Sequence, residues 1–279
     1  FRKANLPMNH VTCIVPARMA SSRFPGKPLV HIAGLPMVVR SAHRARAADC
    51  FAKVVVATED QVIVDVCNAH GLESILTPSF PTGTDRVAWA AQQLAAPWVL
   101  NLQGDEPVFP LELLRDLCKL LPTDPTALWT AADTGLSESD RTDEDVVKIE
   151  LGPTFSSAAL RDARLHPEKH SGSSGQADSV STEKPADGSI SQALDFYREL
   201  PSDARDRNFA IHVGVYGGSL QALSRFASLA VPQIETDRRI EPLRALAAGM
   251  PVLARKGSWP RAAIDRREHI STVLQMLEG

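Results

Sequence analysis

The first 48 residues contain no Asp or Glu, yet they hold eight Lys or Arg. The rest of the 279-residue chain carries 22 Lys or Arg against 33 acids, and the net charge is −3. So small a total excludes a general attraction to nucleic acid or membrane. A basic opening on an acidic body points instead to one localised anionic ligand. Cysteine is scarce: Cys13, Cys50, Cys67 and Cys118 are far apart and form no C-x-x-C. That argues against a disulfide framework and a zinc site, and it fits a reducing, cytoplasmic compartment. No apolar run approaches the roughly 18 residues of a membrane-spanning helix. Residues 1–7 have no apolar signal core, and Met8 lies just before the first strand. They read as an upstream extension without functional weight. No Ser/His/Asp or Cys/His set, no G-x-x-x-x-G-K-[ST] and no internal repeat is visible.

What is there is ordinary globular composition, 44% hydrophobic and 23% charged. The informative stretch is residues 16–29, P-A-R-M-A-S-S-R-F-P-G-K-P-L. It follows the apolar run Val11-Thr12-Cys13-Ile14-Val15 and precedes a helical pattern from Met37 to Ala48. It is therefore a long loop leaving a first strand, with Arg18, Arg23 and Lys27 on it. Arginine forks bind phosphate oxygens two at a time, and lysine is a mobile point charge. A polyphosphate suits that set. Charge alone would equally allow a solvated loop.

Strands and helices then alternate. Strands are predicted at 53–58, 73–76, 98–102, 127–132, 146–151, 209–217 and 252–255. Helices are predicted at 60–70, 85–94, 110–121, 220–229, 234–248 and 267–277. The alternation predicts a three-layer, Rossmann-like, mainly parallel sheet with helices on both faces. Ligands of such sheets sit beyond the carboxyl ends of the strands. The stretch 167–190 is rich in Ser, Gly, Lys and Asp and is expected to be a disordered insertion.

Gln103-Gly104-Asp105-Glu106-Pro107 directly follows a strand. Asp105 there could hold Mg²⁺ against nucleotide phosphates, or cap the following helix. Thr82-Gly83-Thr84-Asp85-Arg86 is a second strand-to-helix turn, where Thr84 can cap through its hydroxyl. Arg86 and the helix-start N–H groups would suit an anion, though a capped helix with a solvated arginine reads as well. Asp265 is a second metal carboxylate or a helix cap. His212 lies on an alternating strand, where packing is the commoner role. His166 and His170 sit in loop-like sequence and carry little weight as a metal site.

Together these segments resemble the 3-deoxy-manno-octulosonate (Kdo) cytidylyltransferases of the nucleotide-diphospho-sugar transferase superfamily. The match runs in order through 16–29, V-V-V-A-T-E-D at 54–60, T-G-T-D-R at 82–86 and N-L-Q-G-D-E-P at 101–107. It continues through V-V-K-I at 146–149, H-V-G-V-Y-G at 212–217 and A-I-D-R-R-E-H-I at 263–270. The resemblance implies one domain over 8–279, with a nucleotide half (8–145) and a sugar-acid and dimerisation half (146–279). It implies transfer of CMP from CTP to the anomeric hydroxyl of an eight-carbon sugar acid, with Mg²⁺, in a homodimer that feeds lipopolysaccharide synthesis. Lys27, Arg23 and Asp105 would then be catalytic. Arg18, Ser22, Arg23, Lys27, Thr84 and Arg86 would hold the nucleotide. Gln103, His212, Tyr216 and Arg164 would line the sugar side, and Asp105 and Asp265 would bind metal.

The chain also departs from the family pattern. The usual Phe-Ser-Arg and Ile-Pro region reads A-L-R-D-A-R-L-H-P at 159–167, where Arg161 or Arg164 is the substitute. Arg238 stands where the family has Glu, Pro242 where it has Gln, and Arg266 where it has Thr. Nearly all changes fall in the sugar-acid half, so the acceptor is the open question: Kdo, another ulosonic or sialic-type acid, or none.

Overall fold

The computed structural model describes residues 10–20, 24–156, 189–204, 207–260, 263–264 and 266–278. The chain divides into two compact units. The first draws on Phe1–Pro122, Gly214–Ser228 and Trp259–Gly279, the second on Thr123–Val213 and Leu229–Ser258.

The first unit is built on β1 (Val11–Ala17), β4 (Phe51–Thr58), β5 (Glu73–Leu76) and β6 (Trp98–Leu102). Their order is β5-β4-β1-β6, and every pairing is parallel. All seven residues of β1 are buried, as expected of a central strand covered on both faces. Crossover helices α1 (Met37–Ala47), α2 (Gln61–Ala69) and α3 (Gly83–Gln93) connect the strands, and α4 (Leu111–Leu120) follows β6. In α4 the residues Leu113, Leu114, Leu117, Cys118 and Leu120 are buried, while Glu112 and Arg115 face out. Each such leucine contributes about 1.5–3 kcal/mol by leaving water. Two short strands, β2 (His31–Ile32) and β3 (Leu35–Pro36), form a hairpin after the basic loop. The last helix, here α9 (His269–Glu278), sends Val273 into a satellite core with Phe24, Ile32, Met37 and Ile264. That core fastens the closing segment to the basic loop.

A fifth strand breaks the parallel pattern. Val215–Ser219 of β10 (Phe209–Ser219) pairs antiparallel with β6. A side chain at Gly217 would meet the Val99 carbonyl at 3.0 Å, so only glycine fits there. Helix α6 (Leu220–Ser228) follows.

The second unit holds β7 (Leu128–Asp133), β8 (Lys148–Phe155), β9 (Ile190–Tyr197), β11 (Val252–Gly257) and the first residues of β10. The strand sequence β10-β7-β11-β9-β8 returns to β10 through a β10–β8 pairing. The sheet thus closes on itself and hides its edges. The β7 and β11 strands run parallel, while the β11–β9, β9–β8 and β8–β10 pairs are antiparallel.

The protein is thus a mixed α/β fold, not the mainly parallel sheet expected from the alternation. Parallel pairs need helical crossovers of a dozen residues or more. Among the described residues after β7, the only helix before Leu220 is the five-residue α5 (Glu138–Thr142). The opening segment of the first unit runs to Pro122, and residues 214–219 of β10 and helix α9 return to it. The helix expected at 234–248 is two, α7 (Gln233–Arg238) and α8 (Leu243–Ala247). Arg239 has φ 55, and Pro242 cannot supply a helical N–H. Strand β9 has no counterpart among the expected strands. The expected insertion lies outside the described residues except at 189–190, and Ile190 is a fully buried strand residue. Among the described residues no helix is long and apolar enough to cross a membrane.

Helices α7 and α8 are held by a buried ion pair. Arg244 donates from Nε and Nη2 to Glu235 at 2.9 and 2.7 Å, with side chains 3% and 10% exposed. Removing one partner strands a buried charge. Glu235→Ala is expected to lower the unfolding free energy by about 3–5 kcal/mol. Urea denaturation measures it, and an unmoved midpoint would mean the pair does not fasten these helices.

Candidate active site

The parallel register of the first unit sends the loops after β1 and β6 out of one edge. Ile14 on β1 lies opposite Asn101 on β6. The basic loop therefore leaves at Ala17 beside the acidic turn that leaves at Leu102. Across that gap Lys27 donates from Nζ to Asp105 Oδ2 at 2.6 Å, with both side chains largely buried. Three further contacts fix the acidic turn. A Cβ at Gly104 would come within 2.9 Å of the Pro16 carbonyl oxygen, so the glycine lets the turn lie flush on β1. Ser41 on α1 donates to the Gly104 carbonyl at 2.9 Å. The Ile264 N–H donates to the Asp105 carbonyl at 3.0 Å, which brings the chain neighbour of Asp265 to Asp105.

A polar chain leads away from this pair. Gln103 donates to Asn101 at 3.2 Å, and Asn101 donates to Thr84 at 3.3 Å. Asn101 and Thr84 are buried. Tyr216 on β10 lies opposite Asn101 in the antiparallel register and is 8% exposed. The expected cap at Thr84 is corrected by two residues, to Thr82. Helix α3 begins at Gly83, and Thr82 is the cap, accepting from the Asp85 N–H at 3.1 Å. Thr82 is the last extended residue, so its hydroxyl reaches the orphan donors while Thr84 already points inside.

Arg86 is 1% exposed. It donates from Nε to Thr77 at 3.2 Å, and its guanidinium lies 3.1 Å from Glu59. These contacts tie α3 to the ends of β4 and β5. Arg18 is exposed just past β1. His212 lies in the second unit, where its Nε2 is 3.1 Å from the Thr130 hydroxyl and its ring meets Phe196 edge-on at 5.1 Å. Desolvation pulls its pKa from 6.5 down to about 4. Ser22, Arg23, Arg164, Asp265 and the His166/His170 pair fall outside the described residues.

Sequence reasoning gave no role to Asp60, Ser41 or Asn101. Asp60 accepts the Met19 N–H at 2.7 Å and so pins the root of the basic loop. Its signal was positional: an acid just past β4, the parallel neighbour of β1.

Reagents that carry several negative charges need cations on a loop and an acid able to share a metal with them. The class of protein this combination defines is the nucleotidyltransferases. More narrowly, the chain belongs to the cytidylyltransferase family, whose model matches residues 12–251. It is similar to the 3-deoxy-manno-octulosonate cytidylyltransferase of Verminephrobacter eiseniae, at 39% identity over 247 residues, 84% of this chain and 82% of that one. It is also similar to the protein of the same name from Neisseria meningitidis serogroup A, at 31% identity over 95% of this chain and 97% of that one. A solved structure of CMP:2-keto-3-deoxy-manno-octonic acid synthetase complexed with CTP shares the fold. Its TM-score is 0.76 at 24% identity, covering 96% of this chain and 98% of that one.

The lowered His212 pKa predicts a pH dependence. The native state refuses a proton that the unfolded chain accepts below 6.5, so stability is complete above that pH and falls toward 4. Between pH 7 and pH 5 this group is expected to cost about 2 kcal/mol. His212→Gln should flatten that part of the profile in denaturation at both pH values; an unchanged slope would assign it elsewhere.

Proposed function

We propose that this protein transfers CMP from CTP to the anomeric hydroxyl of 3-deoxy-D-manno-octulosonate, releasing pyrophosphate, in the supply of an activated sugar acid for lipopolysaccharide. The observation that carries the reading is the Lys27–Asp105 pair at 2.6 Å, which joins the cation-bearing loop to the acidic turn. The relatives named above support the choice of acceptor.

Transfer of this kind needs positioning and charge neutralisation more than a covalent nucleophile. Lys27 and Arg18 meet the charge of the triphosphate, with Arg23 and Ser22 on the same loop. The acceptor hydroxyl oxygen attacks the α-phosphorus as the bond to the β-phosphate breaks. Gln103, braced on Asn101, lies on the acceptor side with Tyr216. The residues also fit Mg²⁺. Among the described residues no group of three or more His, Cys, Asp or Glu could hold a metal. A lone hard carboxylate beside a cationic loop suits an ion that takes few protein ligands and completes its shell with phosphate oxygens. Asp105 would hold it together with Asp265, and the bound ion would steady the charge on the attacking and leaving oxygens.

A homodimer is part of the proposal. Exposed apolar residues available to self-association lie on both units, Val62 and Leu76 on the first and Leu194, Val231 and Ile234 on the second. A second reading changes only the acceptor to another ulosonic or sialic-type acid. Arg238 favours it: in place of the family's acid it binds Asp195 at 2.9 Å and stacks on Tyr197 at 4.6 Å.

Pyrophosphate release with CTP, Mg²⁺ and a panel of sugar acids tests both. Release with Kdo upholds the proposal, and release only with another acid moves it to the second reading. CTP binding without turnover on any acid overturns both. Asp105→Asn is expected to lower kcat by about 10²–10³-fold while circular dichroism stays unchanged. Full turnover in that variant, or in a chelator, would remove the metal assignment.

A further inference from the structure

Cys50 and Cys118 are 68 residues apart in sequence, yet Cys118 Sγ lies 3.2 Å from Cys50 Sγ. Both belong to the first unit, and neither takes part in the site described above. Cys118 sits on the inner face of α4 and is 6% exposed. Cys50 lies in the turn between α1 and β4 and is only half-buried. One residue of the pair is therefore partly exposed, and the other is buried beside it.

The surroundings hold the two together. Asp49 turns the chain with φ 51 just before Cys50. Arg115 on α4 donates from Nε to the Ala48 carbonyl of the same turn at 2.9 Å. The turn and the helix are thus already fastened side by side. The sulfurs are also unequal. The hydrogen bond from Cys118 draws the Cys50 thiol below its ordinary pKa despite partial burial, and Arg115 and Lys119 act in the same direction. The same hydrogen bond and burial push Cys118 up. Cys67 offers a contrast: burial raises its thiol to about 11.

We propose that Cys50 and Cys118 form an oxidative modification site at which a peroxide converts the pair into an intramolecular disulfide. The Cys50 thiolate attacks one peroxide oxygen and the O–O bond breaks. The departing hydroxide takes a proton and leaves as water, and Cys50 becomes a sulfenic acid. Cys118 sulfur then attacks Cys50 sulfur. Its S–H proton joins the departing hydroxide, and a second water leaves as the S–S bond forms. The two thiols lose two electrons and two protons, and the peroxide is reduced to two waters. Closure from 3.2 Å to a bonded distance of about 2.05 Å asks for about 1 Å of movement, which a half-exposed turn can supply. The link would join the end of α1 to α4. Helix α1 flanks the acidic turn, since Ser41 holds Gly104 and Arg44 holds the Phe109 carbonyl at 2.7 Å, and α4 follows that turn in the chain.

The test exposes the reduced full chain to hydrogen peroxide, removes the peroxide, alkylates the chain in denaturant so that buried thiols also react, and maps the peptides. Two of the four thiols are expected to disappear, with Cys50 and Cys118 recovered in one linked peptide that a dithiol reductant separates. In Cys118→Ser the reaction should stop at a Cys50 sulfenic acid that a cyclic 1,3-dione traps. Recovery of Cys50 and Cys118 as separate alkylated or over-oxidised peptides would overturn the proposal, as would a link between two chains. Peptide mapping of the unmutated protein, with non-reducing electrophoresis to show whether chains are linked, decides between these outcomes even if the variant fails to fold.

Discussion

The site depends on one ion pair placed across the edge of a parallel sheet. Lys27 and Asp105 come from loops that follow different strands, and they meet because β1 and β6 are parallel neighbours in fixed register. A one-residue slip would turn every side chain of either strand to the other face. All seven residues of β1 are buried, so such a slip would repack both faces of the strand and move Thr12 from its place. Gly104 then lets the acidic turn rest on Pro16, and the satellite core around Phe24, Ile264 and Val273 draws the closing segment to the same place. The apolar interior of the first unit thereby sets the geometry of its charged groups.

Several residues expected to bind nucleotide also have protein partners in the folded chain. Lys27 bridges two loops, Thr84 ends a buried polar chain, and Arg86 is held inside by Glu59 and Thr77. An arginine after a helix start looks the same in sequence whether it faces a ligand or an internal acid. The difference lies in what β4 and β5 bring beneath it. Asp60 is the converse: it is unremarked in sequence, but it pins Met19 because β4 lies beside β1.

The second unit follows another logic. Its strands close into a ring, and its fastenings are polar: Glu235 with Arg244, Arg238 with Asp195, and Thr130 with His212 and the Val213 carbonyl. Among the positions that depart from the family pattern, Arg238 is part of these fastenings. Arg238 and Arg244 are both engaged with neighbouring acids, so any chemistry they have toward a ligand is tied to their part in holding the unit.

Local pattern was enough to give the long strands and helices of the first unit, the basic loop and the acidic turn, though not the β2–β3 hairpin; the family came from the resemblance of the motifs. Those features depend on the order of apolar and charged residues within short windows, and periodicity reports that directly. It could not give the closed, largely antiparallel ring, because strand direction depends on which segments pair. It could not separate an arginine facing a ligand from one braced on Glu59, or find Asp60 holding Met19. It read four distant cysteines as unrelated, and only packing α4 against the turn after α1 brought Cys118 to Cys50. Sequence order sets what a residue can do chemically; which partner it meets is set by long-range packing that no local window contains.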